Sequence, residues 1–369
     1  MSAHTENNPR SAPTSMEAQL DRIERIRKRR PRLLDDVVTL AHGAGGKSSA
    51  ALIDAVFLEA FRDPGLHQLG DGALLPPSGS DGLAFSTDSY VVQPLRFPGG
   101  SIGDLAVHGT VNDLAMCGAR PQWLSAGFVI EEGFPIEDLR GIVNDMAAAA
   151  ERSGVAIVTG DTKVVPKGAA DGLYINTAGV GVIPQGRALG ADKVQPGDRV
   201  IVSGPIAAHG MAIMIARGDL ALEADIVSDT APLAGLVDAL LTAVPNTRWL
   251  RDATRGGLGT VANELAQDTD LGIVLDETCL PVDETVAAAC DILGIDPIHV
   301  ANEGRFVAVV PAEDAEDAVV ALRSLPGGHE AVVIGEVVED LAGLVALRTL
   351  YGGTRIVDML VGDPLPRIC

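Results

Sequence analysis

The chain closes on a cysteine, at the tip of Gly362-Asp363-Pro364-Leu365-Pro366-Arg367-Ile368-Cys369. A thiol on a chain terminus can be presented to one active site, withdrawn and offered to another. Two prolines bar a helix or a central strand here, so the segment is expected to be an extended, mobile arm. Six residues from Pro364 reach about 20 Å at about 3.3 Å each. A frayed terminus that merely ends in Cys is the competing reading. The second set of chemistry-bearing residues is acidic. Asp88 ends a strand-like run, Asp161 follows another, Asp252 precedes Ala253-Thr254-Arg255-Gly256-Gly257, and Asp113 stands beside Asn112 on a helix. Each alone reads as a turn or cap residue. Four of them converging at strand ends, where α/β folds gather ligands, would repel one another unless they share a cation such as Mg²⁺. Asp88, Asp113, Asp161 and Asp252 are therefore the metal candidates. Lys163, after Thr159-Gly160-Asp161-Thr162, and Glu303, in Ala301-Asn302-Glu303-Gly304, are a further pair of note, for which spacing alone does not exclude a surface ion pair.

A glycine-rich segment, Ala41-His42-Gly43-Ala44-Gly45-Gly46-Lys47-Ser48-Ser49, invites comparison with a P-loop. It fails: that pattern needs a glycine where Ala41 stands. Gly45, Gly46 and Lys47 could still cradle phosphates through backbone N–H groups, or simply form a tight turn.

The elements that must position these residues alternate between strand and helix. Leu83–Asp88 reads as a strand. Ser101 and Asp104 form a capping box that starts a helix ended by Gly118. A second helix starts at Pro135 and stops at Gly154. Val155-Ala156-Ile157-Val158 follows as a short buried strand, leading into a Gly-Asp-Thr turn that carries Asp161 and Lys163. Arg199–Gly204 opens a second half with helices near 209–217, 231–243, 256–267, 282–293 and 312–324. Its strands are expected at Phe306–Val310, 331–338 and 344–349. The fold class is thus α/β (α+β) with two domains. Residues 1–38 are a basic tail, 39–186 the first domain, 187–353 the second and 354–369 the arm.

Composition narrows the function. A net charge of −22 with 3% aromatics argues against nucleic acid as a partner. Cys117, Cys279, Cys290 and Cys369 lack zinc-ligand spacing and read as reduced thiols, which together with the absence of a signal-like start points to the cytoplasm. No apolar run is long enough to span a bilayer.

Taken in order, His42–Lys47, Ser86-Thr87-Asp88-Ser89, Phe97-Pro98-Gly99-Gly100, Gly109–Ala115, Thr159–Val165, Arg251–Gly257, Ala301–Gly304 and the ending Pro366-Arg367-Ile368-Cys369 carry a resemblance. From about residue 38 to the end, the chain resembles the HypE family of hydrogenase maturation factors, carbamoyl dehydratases related to aminoimidazole ribonucleotide synthetase, selenophosphate synthetase and thiamine-monophosphate kinase. The four-residue ending is its most specific element. The glycine-rich loop has no cysteine, unlike most selenophosphate synthetases. Lys47, Ala44 and Ala253 depart from the family's common Arg, Ser and Pro.

The resemblance implies ATP and Mg²⁺ as cofactors, with Gly45, Gly46, Lys47, Asp88, Asn112, Asp113, Asp161, Thr162, Arg251 and Asp252 at the nucleotide. It implies a homodimer joined through the N-terminal sheet, a carbamoyl group delivered to Cys369 by HypF, and a HypC–HypD complex that accepts the product cyanide. In the implied reaction ATP phosphorylates the amide oxygen, and Glu303 and Lys163 relay protons as phosphate leaves and a thiocyanate forms. A non-catalytic thiol carrier, or another ATP-dependent synthetase or kinase of the same superfamily, are the alternatives.

Overall fold

The computed structural model describes residues 33–34, 36–43, 46–58, 71–75, 81–218, 224–360 and 367–369. After a short helix α1 (Lys47–Leu52), the chain builds β1 (Ala73–Leu75), β2 (Gly82–Tyr90) and the two-residue strands β3 (Arg96–Phe97) and β4 (Gly100–Ser101). There follow α2 (Ile102–Met116), β5 (Arg120–Glu131), α3 (Ile136–Ser153), β6 (Ala156–Val165) and β7 (Leu173–Ile183). The first sheet has the order β1-β2-β7-β5-β6. β5 and β6 run parallel through the α3 crossover, and the other neighbours are antiparallel.

Local chemistry explains where the helices begin and end. The Ser101 hydroxyl accepts from Gly103 N–H while Asp104 accepts from Ser101 N–H, which closes the expected capping box on α2. Gly154 takes the left-handed conformation that ends α3. α2 is the centre of the molecule, with Asp113 its one residue that is not fully buried. One side packs on the first sheet through Leu105 and Val111, and its end joins the second domain's core through Ala115 and Met116.

The second domain holds β8 (Arg199–Val202), α4 (Ala208–Ala216), α5 (Ala234–Ala243), β9 (Trp249–Asp252), α6 (Gly257–Thr269), β10 (Gly272–Asp276) and α7 (Glu284–Leu293). β11 (Phe306–Val310), α8 (Ala315–Arg323), β12 (Val332–Val338), β13 (Val345–Arg348) and β14 (Thr354–Val357) complete it. Its sheet order is β14-β13-β10-β12-β8-β11-β9. β11 is buried on both faces, as its unbroken Phe-Val-Ala-Val-Val run requires.

Two expectations need correction. Val155–Val158 is not a short buried strand before a turn: β6 continues to Val165, and Ala156–Val164 are exposed along it. The Gly-Asp-Thr segment is extended because it pairs with β5, Asp161 opposite Gly127 and Lys163 opposite Val129. The arm also does not begin at 354. Thr354–Val357 is a strand antiparallel to β13, and Val357 is buried in the second core. Far from projecting, Ile368 and Cys369 are buried in the first core. The basic run of residues 22–32 and the prolines of the arm lie outside the described residues.

Candidate active site

Three carboxylates meet where the domains join. Asp71 enters β1, Asp113 sits in the last turn of α2, and Asp252 ends β9; each offers an oxygen within 4.8 Å of the others. Their neighbours hold them there. Ser86 Oγ donates to Asp113 Oδ2 at 2.6 Å. Arg251 Nε lies 2.9 Å from Asp71 Oδ1, and its Nη2 is 2.8 Å from Glu264 Oε2. Burial raises Asp71 to about 6 against the pull of Arg251. Burial, and then the charges of Asp252 and Asp71, drive Asp113 well above the carboxylate range; burial and Asp71 do the same to Asp252. Asp71 Oδ2 and Asp252 Oδ2 are buried without a hydrogen-bond partner. Buried carboxylate oxygens that repel one another and lack donors suit a hard divalent cation with oxygen ligands.

Beside this cluster lies the terminal thiol. Arg255 Nε approaches Cys369 Sγ at 3.0 Å. Cys369 is 7% exposed and Glu303 4%. Burial pushes the thiol up to about 12; Arg255 opposes this, while Glu303 and Asp88 add to it. The guanidinium is in turn raised, first by Cys369 and, against burial, also by Asp88 and Glu303. Glu303 is raised well above its ordinary value by burial and by the charges of Asp252, Asp88 and Asp229, with Arg255 opposing. Asp88 is raised by burial. A carboxylate whose pKa is raised this way is a stronger proton acceptor than an ordinary one.

Cys369, Glu303, Asp88, Asp113, Asp252 and Arg251 thus share one locality. Asp161, Thr162 and Lys163 do not join it within the chain. They lie on the exposed strand β6, where Lys163 Nζ pairs with Asp161 Oδ2 at 2.6 Å and both side chains are about two-thirds exposed. Asp161 and Lys163 line a cavity of about 340 Å³ together with Ser89, Val91 and Asn176. Asn112 is a bracket between domains: its Nδ2 donates to the carbonyls of Ala231 and Glu303, and its Oδ1 accepts from Leu233 N–H. With these bonds made, its amide has little left for a nucleotide. Gly46 caps α1, and Lys47 pairs with Asp358 at 3.1 Å. Gly45 lies outside the described residues.

The sequence reading missed Asp71 and gave Arg255 no role. Asp71 stands between two glycines, a pattern that reads as a turn. Arg255 lies within Arg251–Gly257, and only the fold brings it to residue 369.

The chain matches the family models for the AIR synthase related protein N-terminal domain over residues 69–183 and the C-terminal domain over residues 195–345. It is 53% identical to carbamoyl dehydratase HypE of Rhodobacter capsulatus over 340 residues, 91% of this chain and 99% of the relative. The crystal structure of a HypE–HypF complex superposes with a TM-score of 0.80 at 47% identity, covering 84% of this chain and all of that one. HypE in complex with ATP superposes at 0.76 and 45% identity, covering 90% of this chain and all of the other. Two aligned domains, near-complete coverage and identities of about half make this chain a member of the HypE family of carbamoyl dehydratases.

Proposed function

We propose that the chain is an ATP-dependent dehydratase acting on its own C terminus, converting an S-carbamoyl group on Cys369 to a thiocyanate. The observation that carries this reading is the terminal sulfur buried 3.0 Å from Arg255 and within electrostatic reach of Glu303 and Asp88. A thiol without a task has no reason to be sequestered among ionisable groups. HypF, which is bound to HypE in the related crystal structure, is the proposed carbamoyl donor. A HypC–HypD complex is the proposed cyanide acceptor, and the cytoplasm the proposed setting.

The chemistry follows from the difficulty of expelling hydroxide. The amide oxygen of the carbamoyl thioester attacks the γ-phosphorus of ATP, displacing ADP, and the nitrogen gives up its first proton to solvent as the oxygen becomes a phosphate ester. A base then removes the remaining N–H proton, the C–O electron pair leaves with phosphate, and S–C≡N remains. Glu303, raised by burial, is the proposed base at that nitrogen, and Arg255 holds the sulfur and offsets charge developing beside it. Asp71, Asp113 and Asp252, with Asp88 nearby, would hold Mg²⁺, which when bound neutralises phosphate charge.

Lys163 enters through a homodimer. β6 is a ten-residue edge strand with Ile157, Val158 and Val164 exposed, a surface that proteins seldom leave open. Pairing along it with a second copy would cover these residues and carry Asp161 and Lys163 into the shared interface, where the lysine can serve the proton relay.

ATP turnover that requires a carbamoylated Cys369 tests the reading. ADP release should depend on the carbamoyl donor and vanish in Cys369→Ser. Release that persists in Cys369→Ser at the wild-type rate would instead support a kinase acting on a free substrate, and no release at all a passive carrier.

A further inference from the structure

The last three residues are held by a set of bonds unrelated to the carboxylates. Val91 N–H donates to the terminal carboxylate at 3.1 Å and Gln93 N–H to the Arg367 carbonyl at 3.3 Å, so the tripeptide lies along the chain that follows β2. Arg367 Nε returns a bond to the Val91 carbonyl at 3.1 Å, and its Nη1 reaches Asp171 at 2.6 Å. Two residues of the second domain close over this from the other side. Arg217, just past α4, donates from Nη2 to the Arg367 carbonyl at 2.6 Å and from Nε to the Gln93 carbonyl at 2.8 Å. His209, on α4 and fully buried, has Nε2 at 2.7 Å from the Ile368 carbonyl.

The tautomer of His209 follows from its partners. A carbonyl only accepts, so Nε2 carries the proton. Ser228 Oγ accepts from Thr230 N–H at 3.1 Å and turns its own proton to His209 Nδ1 at 2.8 Å. The relay Thr230–Ser228–His209–Ile368 therefore runs in one direction. Phe97 packs edge-on against the ring at 5.7 Å, and burial holds the ring neutral.

We propose that His209 and Arg217 are positioning residues that form a latch on the carbonyls of Ile368 and Arg367, setting how often Cys369 leaves its buried seat. The proposal rests on the dehydratase reading only for its purpose: a thiol that must accept a group outside and have it dehydrated inside needs a docked state that is stable but not permanent. Without His209 the buried Ile368 carbonyl would lose that donor, and without Arg217 the carbonyl of half-buried Arg367 would keep only Gln93 N–H. A lost bond of this kind multiplies the undocked fraction by about tenfold or more.

Alkylation by iodoacetamide of the full-length protein reads that fraction directly, without ATP or carbamoyl donor. Cys279 is exposed and Cys290 buried, so they report reagent activity and an intact fold in the same sample. His209→Leu and Arg217→Met should each speed alkylation of Cys369 by about tenfold or more, with Cys279 and Cys290 unchanged. His209→Gln, whose amide can still donate, should fall back toward the wild-type rate. The latch is refuted if Cys369 reacts at the wild-type rate in both variants. It is equally refuted if Cys290 becomes reactive in step with Cys369 in both. A working latch on a protein that never dehydrates its carbamoyl group would leave this inference standing and overturn the proposed function.

Discussion

Replacing Glu303 by Gln isolates its proposed role. The side chain keeps its shape, and the bonds that seat the residue run through its backbone: Glu303 N–H to Asp229 Oδ1 at 3.1 Å, and Asn112 Nδ2 to the Glu303 carbonyl at 3.2 Å. The exchange removes one buried ionisable carboxyl group that faces Asp252, Asp88 and Asp229. Stability should therefore hold or rise, because less repulsion is confined at low dielectric. Catalysis should fall, since a positioned general base contributes about 10²–10⁴ in rate. The assay is rapid quench of carbamoylated enzyme mixed with ATP, followed by mass analysis of the C-terminal peptide. The carbamoylated peptide should persist at least about a hundredfold longer than in the wild type, with melting temperature unchanged or higher. Dehydration within threefold of wild type would show that another group takes the proton. A protein that melts early would show that Glu303 is structural.

Other outcomes follow from the same geometry. Mg²⁺ should raise the melting temperature, by about 2.7 kcal/mol of stabilisation at a hundred times its dissociation constant, and Asp252→Asn should remove most of that gain; an unchanged shift in the variant would separate the cation from this cluster. Lys163→Ala should accept the carbamoyl group and bind nucleotide yet stall before the thiocyanate, and normal conversion refutes the relay. Val164→Lys on β6 should turn a dimer into a monomer by sedimentation, whereas a monomeric wild type would remove the proposed interface. For pH, the docked thiol sits at about 12 against an ordinary 9.0. Below pH 9 both docked and undocked sulfur are protonated and docking is unaffected. Between about 9 and 12 only the undocked form ionises, so docking should weaken about tenfold per pH unit. Alkylation of Cys369 should keep climbing to about pH 11, and levelling off near 9, as in a free peptide, would contradict the buried seat.

Local signals were readable in the sequence where they depend on near neighbours. Ser101 and Asp104 mark a helix start because the two ends of a capping box are three residues apart. Gly154 marks a stop because only its φ fits the turn. The four second-domain helices from Ala234 onward and the β11 run were recoverable from periodicity. Signals that depend on what comes to meet a residue were not. Val155–Val158 reads as core, yet an apolar strand looks the same whether its own chain or a second copy covers it. Pro364 and Pro366 argue against regular structure in the sequence, but they carry no trace of the N–H groups of Val91 and Gln93 that receive the tripeptide. His209 lies in an apolar helix and reads as packing; its relay spans three separate segments. Asp88, Asp113 and Asp252 stood out by their glycine and threonine contexts, while Asp71 and Arg255 acquire meaning only through the fold.

The central claim is that the terminal sulfur carries its carbamoyl group into the Arg255–Glu303 pocket and loses water there. It is tested most directly by the mass of the C-terminal peptide after incubation with the carbamoyl donor and ATP. The account predicts a carbamoyl adduct on Cys369 that then loses the mass of one water when ATP is present and not otherwise. An adduct that keeps its oxygen with ATP in excess would contradict it.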